Sequence, residues 1–310
     1  MLARHPAVNL TVATASQATS TPRHLPAIAK IWKGDVQPLD LDVVKREADV
    51  AFLALPEAAS AETALPLLRA GLRVVDLSGA FRIRDAAARS RWYPATGAMP
   101  DGVAYGLSEF EGSTIRDAKL VANPGCYSMA SLLALMPLAR AGLINASSDV
   151  VGDAKSGISG AGKAPSDRTH FSENHGSVAA YGPFAHRHTP EMEQTLGRQV
   201  TFVPHLVPLD RGILASVYVR LTPGTSAATV ASAYEAAYGQ APFVRLTGAS
   251  LPEIKHVAWT NFCDIGWQVD QATGRVLVVS VIDNLLKGAA GSAVQNFNIM
   301  MGIDESTGLL

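Results

Sequence analysis

The sequence predicts an α/β fold, a doubly wound parallel sheet joined to a second domain of α+β character. Three observations carry this. Short β-rich runs alternate with Ala/Leu-rich helical stretches through the first 125 residues. One of those runs, Asp49 to Leu55 (DVAFLAL), is almost continuously apolar, as a strand covered on both faces of a parallel sheet must be. Beyond Asn123 the pattern changes to longer strands separated by helices.

Asn9 to Thr14 reads as a strand. After the apolar run, Pro56 and Glu57 open a helix over Ala58 to Ala70, and Gly71 stands where a helix stops. Arg73 to Leu77 is the next strand, and this βαβ rhythm is what specifies a parallel sheet. The stretch after Cys126, SMASLLALMPLARAGL, is apolar nearly all round, so that helix is expected to be buried. Residues 148–156 and 199–221 read as longer strands, 226–240 as a helix and 275–282 as another strand. From Lys287 a terminal helix is expected to return to the first domain. The domains are therefore expected at residues 1–125 with 288–310, and at 126–287.

Composition excludes several classes. Among 310 residues the formal net charge is -1, which leaves no electrostatic footprint for nucleic acid or an anionic membrane. No apolar run approaches the roughly 18 residues of a membrane span. Cys126 and Cys263 are too few for a disulfide framework, and no four-ligand Cys/His cluster suggests a metal. The opening residues lack the layout of a secretory signal, so a reducing cytoplasm is expected.

Cys126 follows a short strand in VANPGCY and begins a helix. Helix-start N–H groups favour a thiolate there, and Pro124-Gly125 turns the sulfur toward the carboxyl edge of the sheet, where open α/β sheets bind ligands. Cys263 has no such surroundings and reads as structural. A thiolate needs a proton partner, and His186 and His188 stand together in HRHTPEM, facing one side of an extended backbone. Thr189-Pro190 then enters a helix with Glu191 near its start. Asp153 to Lys163 (DAKSGISGAGK) is a strand running into a Gly/Ser-rich turn whose open N–H groups suit a phosphate or a nicotinamide. Asp76 to Arg82 (DLSGAFR) ends another strand with a basic group able to grip an oxyanion.

These stretches, with FLALPEAAS, TNFCDIGW and DNLLKGAAGSAVQNFN, resemble the N-acetyl-γ-glutamyl-phosphate reductases, arginine-pathway enzymes related to aspartate-semialdehyde dehydrogenase. The matching motifs run in order from about residue 50 to the C-terminus. The resemblance implies a Rossmann-like nucleotide-binding domain, and reduction of N-acetylglutamyl 5-phosphate with NADPH to N-acetylglutamate 5-semialdehyde and phosphate. It implies Cys126 as a nucleophile forming a thioacyl intermediate, and His186 as the first choice of acid/base, with His188 the alternative. Ser159, Gly160, Ala161, Gly162 and Asn284 are implied along NADP, flanked by Leu55 and Pro56, and Arg82 and His188 at the substrate. A homo-oligomer, dimer or tetramer, acting on a small acyl phosphate follows from the same resemblance.

Two departures stand out. Family members open with a strand and a GxTGxxG turn, whereas Met1 here falls in the helix that follows them. The chain is therefore expected to be truncated, its sheet gapped beside the Asn9–Thr14 and Asp49–Leu55 strands. Thr14 to Lys30 also lacks a Ser-Arg pair for a 2′-phosphate. The competing readings are the related reductase of a carrier-linked aminoadipyl or glutamyl phosphate, a Cys–His hydrolase, and an inactive remnant.

Overall fold

The computed structural model of the chain describes residues 1–15, 23–162 and 164–310. Part of the Thr14–Lys30 reading falls on residues 16–22, which lie outside this set, as does Lys163. The chain divides into two compact units: Met1–Asn123 with Ala293–Leu310, and Pro124–Ser292.

The first unit runs β1 (Ala13–Ala15), β2 (Val36–Pro38), α1 (Leu41–Glu47), β3 (Val50–Leu53), α2 (Glu57–Arg69), β4 (Arg73–Asp76), α3 (Ala86–Trp92), β5 (Val103–Tyr105), α4 (Ser108–Asp117) and β6 (Leu120–Ala122). The strands β3, β4, β6 and β5 form, in that order, a wholly parallel sheet. Adjacent residues of β4 show that it is covered on both sides. Val74 packs with Ala64 and Leu67 of α2 on one face, while Val75 packs with Ile115 of α4 and with Phe297 and Met300 on the other. Gly71, at φ 93°, stops α2 as expected, in a left-handed conformation that glycine tolerates without a Cβ clash.

β1 and β2 pair in parallel as a separate two-stranded sheet, and Val36 of β2 also forms an isolated antiparallel bridge with Arg23. Between them and β3 lies a cavity of about 600 Å³, walled by residues 7–14, by Val50–Leu53 and by Phe297 and Met301. The expected strand over Asn9–Thr14 is correspondingly reduced to Ala13–Ala15. Residues 9–12 border the cavity instead of a neighbouring strand, and a ladder cannot extend without a partner.

The second unit contains α5 (Cys126–Arg140), β7 (Val151–Gly157), α6 (Phe171–Asn174), β8 (Ala179–Ala180), α7 (Thr189–Leu196), β9 (Thr201–Val207), β10 (Ile213–Arg220), α8 (Ala227–Tyr238), β11 (Val244–Gly248), β12 (Cys263–Asp270) and β13 (Arg275–Ile282). Its seven strands form one mixed sheet in the order β11-β12-β13-β10-β7-β9-β8. The 199–221 stretch is two strands rather than one, because Pro208 to Gly212 turns the chain over between β9 and β10. α5 is buried from Tyr127 through Leu138, as its apolar circumference requires. The Tyr234 hydroxyl of α8 donates to the Ala134 carbonyl of α5 at 2.7 Å, so the one polar atom of that buried ring is satisfied.

The chain ends in a π-helical turn (Leu286–Ala290) and α9 (Gly291–Met300), the latter belonging to the first unit from Ala293 onward. Asn296 of α9 has no exposed surface, and it donates to the Gly106 carbonyl at 2.9 Å and to the Asn123 Oδ1 at 3.0 Å. Ser108 Oγ donates back to its Oδ1 at 2.8 Å. Asn296→Ala should therefore destabilise the protein by about 3 kcal/mol, since it strands buried polar groups as well as opening space. A melting temperature within a degree of wild type would contradict this.

Candidate active site

Cys126 is the first residue of α5 and is half-buried. Gly125, the helix N-cap, is extended at φ -67°, ψ 149°, which makes the bend from the preceding strand into the helix. No acidic residue of α5 itself occupies its first turn, so the helix N-terminus is left to act on the thiol beside it.

Two residues of the HRHTPE segment close on that bend. Glu191 lies in the first turn of α7, has no exposed surface, and accepts the Gly125 N–H on Oε2 at 3.0 Å. His188 lays its imidazole over Gly125, where a Cβ would overlap Nε2, Cδ2 and Cε1. Position 125 is therefore glycine because the ring occupies that space. Nε2 of His188 is 3.9 Å from Glu191 Oε1, so a proton gained by the ring would be stabilised by a buried carboxylate.

His186 takes a different place. Its Nδ1 accepts the main-chain N–H of His188 at 3.1 Å, which assigns the neutral-ring proton to Nε2. Its ring is enclosed by Tyr127, Tyr181, Phe202 and His188, with centroids 4.7 to 5.6 Å away. Burial, and secondarily the Arg187 charge, lowers its pKa from 6.5 to about 4, so it is neutral at pH 7. Tyr127 donates to the His205 carbonyl at 2.8 Å, and Tyr181 donates to the Tyr127 oxygen at 3.2 Å. Burial raises the pKa of both phenols, so both keep their protons.

The Gly/Ser-rich turn continues β7 through a 3₁₀ turn over Ile158–Ala161. Gly157 has to lack a side chain: a Cβ would stand 2.7 Å from the Arg211 nitrogen and 2.9 Å from the Leu209 oxygen, both main-chain atoms. Gly162, at φ 89°, has open space where a side chain would be. Asn284 Nδ2 donates to Ser159 Oγ at 3.0 Å while its Oδ1 accepts the Gly212 N–H at 2.6 Å. The structure thus brings Ser159, Gly160, Ala161, Gly162 and Asn284 together around one open turn, and this geometry fits the close approach of a flat ring such as a nicotinamide. In the first unit, Leu55 and Pro56 follow the carboxyl end of β3, with Pro56 the N-cap of α2 and exposed.

Arg82 differs from its expected use. It is 7% exposed, and its Nε and Nη2 donate to the Asn123 and Leu77 carbonyls, each at 2.7 Å. Its charge also offsets the rise that burial imposes on the Asp76 pKa. These contacts make it a brace for the chain rather than an open oxyanion grip. Cys263 is fully buried on β12 with its sulfur 3.3 Å from Ser280 Oγ. Glu191 was legible only as a helix-start residue; its spacing of three from His188 was the available signal. Among the described residues no group of three His, Cys, Asp or Glu could hold a metal ion, and no helix is long and apolar enough to cross a membrane.

Residues 126–284 match the family model described as the semialdehyde dehydrogenase dimerisation domain, and residues 1–118 the one described as the semialdehyde dehydrogenase NAD binding domain. The fold agrees. Aspartate semialdehyde dehydrogenase II of Vibrio cholerae superposes with a TM-score of 0.72 at 19% identity, covering 95% of this chain and 91% of that one. The Candida albicans aspartate semialdehyde dehydrogenase, solved with NADP, gives 0.71 at 15% identity, covering 97% and 93%. Among curated relatives, N-acetyl-gamma-glutamyl-phosphate reductase of Shouchella clausii is 47% identical over 321 residues, spanning 100% of this chain and 93% of that protein. The Brevibacillus brevis protein of the same name is 42% identical, with coverage of 100% and 92%. The chain belongs to the semialdehyde dehydrogenase family, among its N-acetyl-γ-glutamyl-phosphate reductases.

The lowered His186 pKa has a consequence for stability. The unfolded chain takes up a proton at this residue near pH 6.5 and the folded chain only near pH 4. This group therefore costs nothing above pH 6.5, and stability falls as pH drops through the window from 6.5 to 4, by about 3 kcal/mol at most. His186→Gln should flatten that part of the profile. Denaturant melts across the window that ran parallel for variant and wild type would refute it.

Proposed function

We propose that this protein catalyses the NADPH-dependent reduction of N-acetylglutamyl 5-phosphate to N-acetylglutamate 5-semialdehyde and phosphate. The observation that carries this reading is Cys126 at the first position of α5, behind a Gly125 bonded to Glu191 and covered by His188. The names of the relatives at 42 to 47% identity supply the substrate and the reaction.

The Cys126 thiolate attacks the acyl carbon, a C–S bond forms, and phosphate leaves with the electron pair of the acyl C–O bond. NADPH, when bound, supplies a hydride to the thioacyl carbon. The residues of this chain handle the protons. The oxygen of the resulting hemithioacetal is protonated, then loses that proton as the C–S bond breaks and the thiolate returns. We assign this exchange to His188, with His186 fixing its main chain. The support is His188's position over Gly125 and within reach of Glu191, whereas His186 is enclosed by rings and spends Nδ1 on the His188 N–H. This reverses the order taken from sequence. Ser159 to Gly162 and Asn284 are the cofactor residues proposed in the second unit, and Leu55 and Pro56 those proposed in the first. Arg82 would act on substrate only indirectly, by shaping the chain it braces. The relatives' reaction and two cysteines outside any disulfide fit a reducing cytoplasm, and the dimerisation-domain match supports a homo-oligomer.

The test is NADPH oxidation with the acyl phosphate. Cys126→Ser should lower kcat by at least a hundredfold with an unchanged circular dichroism spectrum, since a serine hydroxyl is a far weaker nucleophile at neutral pH. Retention of more than about a hundredth of the rate rejects covalent catalysis. His188→Asn should slow turnover by about 10²–10⁴, and His186→Asn by less. The opposite ranking returns the proton role to His186.

A further inference from the structure

Arg211, in the turn between β9 and β10, has no part in the chemistry above. Its Nη1 donates to Asp283 Oδ2 at 3.0 Å, and its guanidinium carbon is 3.3 Å from the centroid of the Trp259 ring. Asp283 is fully buried and accepts four bonds: from Arg211 and the Trp259 N–H on Oδ2, and from the Leu285 and Leu286 N–H groups on Oδ1. A carboxylate held by so many donors fixes the guanidinium in one orientation. Trp259 is a non-glycine residue at φ 68° whose surface is 69% exposed. Such a conformation persists where surrounding contacts impose it, and such sites cluster around ligands.

One edge and one face of the guanidinium are thus taken, and the other edge is not. Among the described residues Nε is buried without a hydrogen bond, and no bond is made by Nη2. The remaining nearby charge is Asp210, 3.8 Å from Nε on a side chain that is 78% exposed. The Nε–Nη2 edge is the fork with which arginine holds carboxylate or phosphoryl oxygens through two parallel bonds.

The position suits a substrate. Arg211 is followed by Gly212, whose N–H is held by Asn284, the residue that also holds Ser159. Asp283 accepts the Gly288 N–H at 2.9 Å on its main-chain oxygen, and a Cβ on Gly288 would stand 2.9 Å from the Cys126 Cβ. Arg211 is therefore tied to the glycine turn through Gly212 and Asn284, and to the nucleophile's helix through Asp283 and Gly288.

We propose that Arg211 is a substrate-binding residue whose Nε–Nη2 edge takes an oxyanionic group of the acyl phosphate, with Trp259 and Asp283 holding the fork in place. The proposal rests on the reductase reading above. That substrate carries two such groups, a phosphoryl and a carboxylate, and both present the same pair of oxygens.

Arg211→Lys tests it in the full chain, since lysine keeps a cation for Asp283 but has no fork. The KM for the acyl phosphate should rise tenfold or more, with the KM for NADPH within twofold and kcat changed less than KM. A merely structural role would not produce that split. Melting protection by inorganic phosphate and by N-acetylglutamate, measured separately, identifies the group: the probe whose protection is lost in the variant marks the phosphoryl or the carboxylate. If the lysine variant fails to fold, Arg211→Gln with Asp283→Asn removes both charges of the pair and is measured the same way. An acyl-phosphate KM within twofold of wild type overturns the proposal. A wild-type protein that forms no semialdehyde removes the reductase reading and this proposal with it, whereas an active wild type with an unaffected variant removes this proposal alone.

Discussion

The hydrogen bond from the Gly125 N–H to the buried Glu191 carboxylate is the contact on which the candidate site depends. A carboxylate without exposed surface is stable only where donors meet it, and a buried N–H outside a helix or ladder equally needs an acceptor. Each group answers the other, and the bond joins the start of α5 to the start of α7. The consequences spread from there. Pro190 sets the first turn of α7, so Glu191 falls where it can reach back. His188, one residue before α7, is brought over Gly125, and Gly125 has to be glycine to admit the ring. The direction in which Cys126 leaves the helix start is thereby fixed by residues more than sixty positions away. His186 adds a second tie, because its unprotonated Nδ1 holds the His188 main chain. Only a ring that stays neutral can do this, and burial keeps it so.

Much of the fold could be read from the sequence wherever hydrophobic pattern and punctuation agreed. The helix ending before Gly71, the strand at 275–282 and the buried helix after Cys126 were all legible, because period, breaker residues and burial pointed the same way. The failures have physical causes. Residues 199–221 are apolar through the turn as well as through the strands, so pattern alone could not show that Pro208 to Gly212 reverses the chain. Asn9–Thr14 has strand composition, but most of it lines a cavity where pairing would be needed, and partners are invisible to local pattern. In the site, Cys126 was legible from its helix-start turn. The order of the two histidines was not, because it depends on which ring covers Gly125. Arg82 and Arg211 show the same limit: both follow a strand or turn in sequence, yet the first has Nε and Nη2 donating to main-chain carbonyls while the second keeps that edge without a hydrogen-bond partner among the described residues.

The two sheets bear differently on function. In the first unit, β3 is an edge of the four-stranded sheet, and the cavity of about 600 Å³ adjoins it. That space opens partly to solvent, so water can reach its walls. The second unit has no such interruption, its seven strands running in one ladder from β11 to β8. Cys126, His188, Glu191 and Arg211 all stand in that unit, on α5, at the entry to α7 and in the β9–β10 turn. The geometry proposed for covalent chemistry is thus built on the uninterrupted sheet. Nucleotide binding draws on the first unit, whose residues 1–118 match the NAD binding domain model.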